Sequence, residues 1–145
     1  MSQSFLAKAA LFALASGALF ANAGCIDASA CDVSDGGNPP VVYKGGTTTS
    51  EGLYYSSPLH GGWLHFPGGK RYDLVHNLGF VPQDIDIWLS FSENGVGEDE
   101  QNSTIAPSAG NSAVLQLVND EIIRIKNDTC SEFWVRVVAS GKPAP

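Results

Sequence analysis

From Leu53 onward, apolar residues recur at every second position in short runs that turn residues separate. The clearest run spans residues 84–91, in which every odd position is Ile, Leu or Phe. Alternation with a period of two is typical of strands that bury one face. Later strands are predicted over Val114–Val118, Ile122–Lys126 and 133–139, with a short edge strand at Val41–Tyr43. The pattern predicts an all-β protein, a single antiparallel β-sandwich of about six or seven strands.

The hairpin between the strands at 114–118 and 122–126 tests the register. A two-residue turn at Asn119-Asp120 would mix polar and apolar side chains on both faces. A three-residue loop over 119–121 directs the apolar side chains to one face. This register pairs Leu115 with Ile125, Leu117 with Ile123, and Gln116 with Arg124.

The chain divides into three predicted regions. Residues 1–23 form a signal peptide, because Lys8 precedes an apolar stretch at 9–21 that is too short to span a membrane, and Ala21-Asn22-Ala23 fits a cleavage site. Residues 24–52 are rich in Gly, Pro, Ser and Thr, which predicts a low-complexity tether. Residues 53–145 form the sandwich domain.

Three cysteines remain after the signal: Cys25, Cys31 and Cys130. The segment Asn22-Ala23-Gly24-Cys25 resembles the lipobox of bacterial lipoproteins, although that family prefers an apolar residue where Asn22 stands. The resemblance implies acylation of Cys25, anchoring to the envelope membrane, and a disulfide between Cys31 and Cys130. Ordinary cleavage after Ala23 is the alternative, and it leaves Cys25 paired with Cys31 or as a free thiol.

A second resemblance covers the segment 75–89. A strand there ends in His76-Asn77-Leu78-Gly79, passes through Pro82 and returns as the strand at 84–91. This segment resembles small β-sandwich modules of phage-tail and exported bacterial proteins, and the later strands are loosely similar to the H-type lectin sandwich. The resemblance implies the fold, and no sugar-binding motif transfers residue by residue.

Charge restricts the possible partners. The chain has 8 Lys and Arg against 15 Asp and Glu, a net charge of −7, and loss of Lys8 with the signal makes it about −8. A surface of this sign repels phosphate backbones, which argues against nucleic acid as a partner.

Strand parity suggests a contact surface. If the alternating Leu, Ile, Val and Phe positions face the core, then Trp63, Trp88 and Trp134 all face outward, with His65 and Arg136 beside them. Exposed tryptophan often marks a surface that binds sugars, a protein partner or another subunit. In the alternative interpretation, the long loop or the tether covers these side chains.

Metal and catalytic signals are weak. Glu93, Glu98 and Asp99 lie beside glycines in a polar loop and are a weak calcium candidate, but they have no EF-hand spacing. The chain lacks the Gly-x-Ser-x-Gly, His-Glu-x-x-His and phosphate-loop motifs. We therefore predict no catalytic residue, no metal and no cofactor.

The sequence favours an exported, lipid-anchored module that binds an extracellular glycan or protein through the tryptophans without catalysis. The second hypothesis is a structural envelope component or homo-oligomer subunit with the tryptophans at subunit interfaces. An enzyme of unknown class is the third.

Overall fold

The computed structural model describes residues 31–58, 61–95 and 105–143, which contain ten β-strands, one short 3-10 helix and no α-helix. The strands form two sheets whose apolar faces share one core. The predicted all-β sandwich is confirmed, with more strands than expected because several are only two or three residues long.

The first sheet, sheet A, has four strands in the order β1-β5-β9-β8. Its strands are β1 (Val41–Tyr43), β5 (Arg71–Val75), β9 (Ile122–Lys126) and β8 (Val114–Val118). Strand β5 pairs with β9 and β9 with β8 in antiparallel register, whereas β1 runs parallel to β5. The expectation of a purely antiparallel fold is therefore wrong at this one edge.

The second sheet, sheet B, has six strands arranged around the last one. It contains β2 (Thr47–Thr48), β3 (Leu53–Tyr55), β4 (Leu64–Phe66), β6 (Asp84–Ser90), β7 (Ile105–Pro107) and β10 (Phe133–Ser140). The order is β2-β3-β10-β6-β7, and β4 pairs with the first part of β10. Strand β10 thus has β6 along one side and both β3 and β4 along the other.

The core consists of the inward faces of both sheets. Alternate residues of β10 are buried, and they meet the buried residues of β5 and β9 from sheet A. The fully buried large apolar side chains are Tyr54, Phe66, Leu74, Ile123, Ile125, Val135 and Val137. Each of the Val, Leu, Ile and Phe side chains in this set contributes roughly 1.5–3 kcal/mol through burial of apolar surface.

Some residues with inward parity are not buried. Phe91 follows the end of β6 and is 74% exposed, although its parity matches that of Leu89. Leu115 and Leu117 were both expected to face the core, and both are exposed. Leu115 pairs with the buried Ile125 but lies on the edge strand β8, whereas a bulge pairs Leu117 with Arg124 on the outward side of sheet A. Alternation therefore predicted the parity of Phe91 and Leu115 but not their exposure, and it could not show the bulge that redirects Leu117.

The strand pairing in the hairpin between β8 and β9 differs from the predicted register after Leu115. Leu115 pairs with Ile125 as expected, but a bulge after it pairs Leu117 with Arg124 and Val118 with Ile123. The backbone N–H of Asn119 donates to the carbonyl of Ile122, so the turn itself holds only two residues. The extra residue lies in the strand instead of the loop.

The folded unit begins earlier than Leu53, the start predicted for the domain. The unit spans Cys31–Pro145, so residues 31–52 of the expected tether belong to it. Three contacts hold this segment: β1 pairs with β5, β2 pairs with β3, and the Thr48 hydroxyl donates to the carbonyl of His76.

The predicted disulfide between Cys31 and Cys130 is present, with Cα atoms 5.6 Å apart and 99 residues of separation. Asn127 fixes the loop that carries Cys130. Its amide donates to the carbonyls of Phe66 and Ser131, and its side-chain oxygen accepts from the N–H and hydroxyl of Thr129. The cysteine is therefore held on a rigid loop next to the start of β10.

Candidate functional site

The outward side of sheet B carries the predicted contact residues. We call Trp63, His65, Trp88, Trp134 and Arg136 the aromatic face. Trp134 on β10 lies opposite His65 of β4 and Ser90 of β6. Two residues along, Arg136 lies opposite Trp88, and its guanidinium packs on the ring of Trp63.

The three tryptophans differ in exposure. Trp88 is 36% exposed and Trp134 is half-buried, so both are accessible on the sheet surface. Trp63 is only 5% exposed, and the expectation that it faces solvent is wrong for this residue. Parity predicted its side of the sheet, and the alternative interpretation, in which the chain covers the tryptophans, holds for Trp63.

The segment that follows β6 covers Trp63. The backbone N–H of Trp63 donates to the carbonyl of Glu93 at 2.7 Å, which brings the two chain segments together. A Cβ atom at Gly95 would lie 3.4 Å from the Trp63 ring and 2.8 Å from the side chain of Ile105. Gly95 has φ of 73°, so glycine suits both the close approach and the left-handed backbone.

Arg136 is positioned by neutral groups. Its Nε donates to the Ser57 hydroxyl at 3.2 Å, and its Nη2 donates to the carbonyl of Pro58 at 2.7 Å. The guanidinium carbon lies 4.6 Å from the centre of the Trp63 ring, which is the geometry of a cation–π contact. Burial lowers the pKa of Arg136 from its ordinary value.

His65 and Trp134 form the other half of the aromatic face. Their ring centroids are 4.9 Å apart, and His65 Nε2 lies 2.7 Å from a carboxylate oxygen of Glu132. Nearly half of the His65 side chain and more than two thirds of the Glu132 side chain are exposed. The pair therefore presents a hydrogen-bonding edge beside the Trp134 ring.

Several contributors were missed by sequence reasoning. Tyr55 joins the outward side of sheet B, because it pairs with Val138 of β10. Asp86 pairs with the same residue from β6, as its outward parity in the sequence predicts. Ser57, Pro58 and Glu132 lie outside the strands, and nothing in the alternation indicates their contacts with Arg136 and His65.

The outward side of sheet A is chemically different, since the segment that follows Cys31 lies across it. The Asp35 carboxylate lies 2.9 Å from Lys126 Nζ and 3.7 Å from Arg71 Nη2. The hydrogen bond from Lys126 holds the pKa of the Asp35 carboxyl below its usual value. Beside this cluster, Arg124 Nε donates to Asp73 at 2.6 Å, which raises the pKa of Arg124. These charges are already paired, so this side offers little for a ligand.

The buried polar residues act within the fold. His76 is fully buried, donates from Nε2 to the carbonyl of Asn119 and accepts at Nδ1 from the N–H of Leu78. Both ring nitrogens are used in this neutral form. Asn127, which begins the sequence Asn-Asp-Thr, is fully buried with both amide atoms bonded, so it is closed to glycosylation.

The weak calcium candidate lies mostly outside the described residues. Glu98 and Asp99 fall there, and so does Cys25, the predicted lipidation site. Glu93 is described, and its side chain packs near Gly62. Among the described residues, no three His, Cys, Asp or Glu side chains come close enough to share a metal ion.

An apolar cavity of about 210 Å³ opens where β6 ends. It is lined by Leu89, Ser90, Phe91, Ala106, Pro107, Ala109, Ser112 and Phe133. The rings of Phe91 and Phe133 are 5.3 Å apart at its wall. This cavity shares no residue with the aromatic face.

Across the described ranges, no helix is both long and apolar enough to cross a membrane. Comparisons of the chain with family models, with curated proteins and with solved structures found no match.

Proposed function

We propose that this protein is an exported, non-catalytic binding module whose aromatic face binds a glycan. The observation that carries the proposal is the presence of two accessible tryptophans, Trp88 and Trp134, on one side of one sheet. They stand on adjacent strands two residues apart along the ladder, a diagonal spacing of about 7–8 Å. Two indole surfaces at this spacing suit stacking against neighbouring sugar rings.

Polar groups around the tryptophans complete such a site. Arg136 supplies N–H donors, whereas the exposed carboxylates of Asp86 and Glu132 supply acceptors. Sugars need both kinds of group beside an apolar platform, because their hydroxyls donate and accept hydrogen bonds. The proposal assigns no catalytic residue; Asp84 and Asp86 are exposed on strand β6 and serve here as acceptors at most.

Export and anchoring form the second part of the proposal. The chain has three cysteines, and the disulfide uses Cys31 and Cys130. The third, Cys25, is the residue that the lipobox-like segment would acylate. A protein tethered in this way would present the aromatic face to ligands outside the cell.

The test measures binding to a panel of neutral and acidic polysaccharides by pull-down and by quenching of tryptophan fluorescence. Trp88→Ala and Trp134→Ala should each weaken binding by about 5- to 150-fold, since each removes a stacking surface worth on the order of 1–3 kcal/mol by analogy with base stacking. Phe91→Ala is the matched control, because Phe91 is an exposed aromatic residue outside the aromatic face. Binding that both tryptophan variants retain in full would contradict the proposal.

The same surface supports a second candidate, a structural subunit whose tryptophans are buried between copies. A half-exposed sheet face with two tryptophans also suits an interface. Sedimentation of the wild-type protein separates the two: a glycan-binding monomer sediments as one chain, whereas an oligomer that Trp88→Ala dissociates favours the structural candidate.

A further inference from the structure

Arg136 is the one arginine of the three in the chain that has no carboxylate partner among the described residues. Arg71 lies 3.7 Å from Asp35, and Arg124 lies 2.6 Å from Asp73. Arg136 has no carboxylate within 4 Å in the described part of the chain, although the protein carries an excess of acidic residues. Partly buried charges are normally paired, so this exception calls for a physical account.

The neighbouring acids do not neutralise Arg136. Asp86 lies on the adjacent strand opposite Val138, two residues further along β10 than Arg136. Glu132 is engaged with His65 at 2.7 Å. Both acids share the outward side of the sheet with Arg136, yet neither contacts its guanidinium.

Three neutral contacts fix the orientation of the guanidinium. The Ser57 hydroxyl and the Pro58 carbonyl each accept one hydrogen bond, and the ring of Trp63 packs against the guanidinium plane. An arginine has five N–H donors, so three remain for a ligand. Because the side chain is held before a ligand arrives, little rotamer entropy is lost when those donors are used.

We infer that the glycan bound by the aromatic face carries a carboxylate, as uronic-acid sugars do, and that this carboxylate pairs with Arg136. The inference rests on the proposed function and adds the chemical class of the ligand. Trp88, which pairs across the sheet with Arg136, would stack against the ring of the same sugar. Asp86 on one side would repel the carboxylate, which restricts the ligand to one orientation.

The experiment compares two matched ligands on the intact protein. Polygalacturonate carries one carboxylate on each sugar, and the same polymer with its carboxylates reduced to alcohols is neutral. The wild type should bind the acidic polymer at least tenfold more tightly, and rising salt should weaken that binding because salt screens the charge pair.

Matched variants locate the charge. Arg136→Gln should remove the preference for the acidic polymer but keep residual binding to both. Lys44 is exposed and directly follows strand β1 of sheet A. Lys44→Gln removes the same positive charge and should leave the preference unchanged. Arg136→Lys keeps the charge but not the forked donors, and should show an intermediate preference. A thermal melt of each variant checks that it remains folded.

The outcomes separate the two proposals. Equal binding of both polymers by the wild type, or a preference that Arg136→Gln leaves unchanged, overturns the inference but leaves glycan binding standing. If Arg136→Gln does not fold, the salt dependence and the comparison of the two polymers on the wild type decide the matter. Binding of neither polymer, nor of any other polysaccharide in the panel, contradicts the proposed function and this inference together.

Discussion

Replacing Cys31 and Cys130 by serine should destabilise the fold by several kcal/mol. The disulfide joins residues that are 99 apart in sequence, so it closes nearly the whole described chain into one loop. In the chain-entropy model, a loop of this length is worth about 4.7 kcal/mol at 25 °C. That value is a large share of the 5–15 kcal/mol by which a domain of this size is normally stable.

The effect should arise mainly in the unfolded chain. In the native state, the hydrogen bonds of Asn127 hold the loop around Cys130, and the ion pairs of Asp35 hold the segment after Cys31. These contacts do not involve sulfur and should persist in the double variant. The unfolded variant can expand further than the cross-linked chain, so it should expose more surface and give a larger urea m-value.

Urea unfolding followed by tryptophan fluorescence measures both quantities. Wild-type protein in a thiol reductant should match the double serine variant, and Cys25→Ser should match the untreated wild type. A loss of less than about 1 kcal/mol for the double variant would refute the reasoning. A comparable loss for Cys25→Ser would show that Cys25 takes part in the pairing that stabilises the fold.

Three further predictions concern other parts of the molecule. Trp63→Ala should cost roughly 3–5 kcal/mol of unfolding free energy, because the side chain is buried, whereas Trp88→Ala should cost clearly less. Equal losses in urea unfolding would contradict the assignment of Trp63 as buried and Trp88 as exposed. The hydrogen bond from Lys126 lowers the pKa of Asp35 in the folded state, so Asp35 stabilises the fold above its ordinary pKa of 3.8 and loses this effect as the pH falls below that value. Asp35→Asn should therefore make the melting temperature fall less steeply with acidification. Cys25→Ala should move the protein from the membrane fraction to the soluble envelope fraction or the medium, and wild-type protein that is already soluble with an unacylated mass would contradict lipid anchoring.

Alternation along the chain predicted the strands that build the core. Strands β6, β9 and β10 were found nearly to the residue, because each must bury one face and therefore repeats with a period of two. The bounds of β8 were also found, although its leucines are exposed. The disulfide between Cys31 and Cys130 was also predicted, because the lipobox resemblance implies that Cys25 is acylated and leaves the other two cysteines to pair.

The contacts that alternation cannot report were missed. Residues 31–52 carry few apolar side chains, yet they are held by a disulfide, by ion pairs of Asp35 and by edge pairing of β1. A bulge in β8 and a three-residue turn both pair Leu115 with Ile125. The sequence alone therefore could not show whether the extra residue lies in the strand or in the turn. Trp63 has the outward parity that was predicted, but a loop far along the chain covers it.

The disulfide also sets the path that mechanical tension would take through an anchored protein. A pull applied before Cys31 passes through the sulfur bridge to Cys130, which lies three residues before β10. Strand β10 carries Trp134 and Arg136, so the part of a load that acts on these two residues would run through one covalent link and one central strand. Trp88 lies on β6 and would pass its part of the load to β10 through the pairing of the two strands. Residues 32–129 lie outside that covalent route. The pairing of β1 with β5 and of β2 with β3 would therefore not be peeled apart when the ligand is pulled away from the cell.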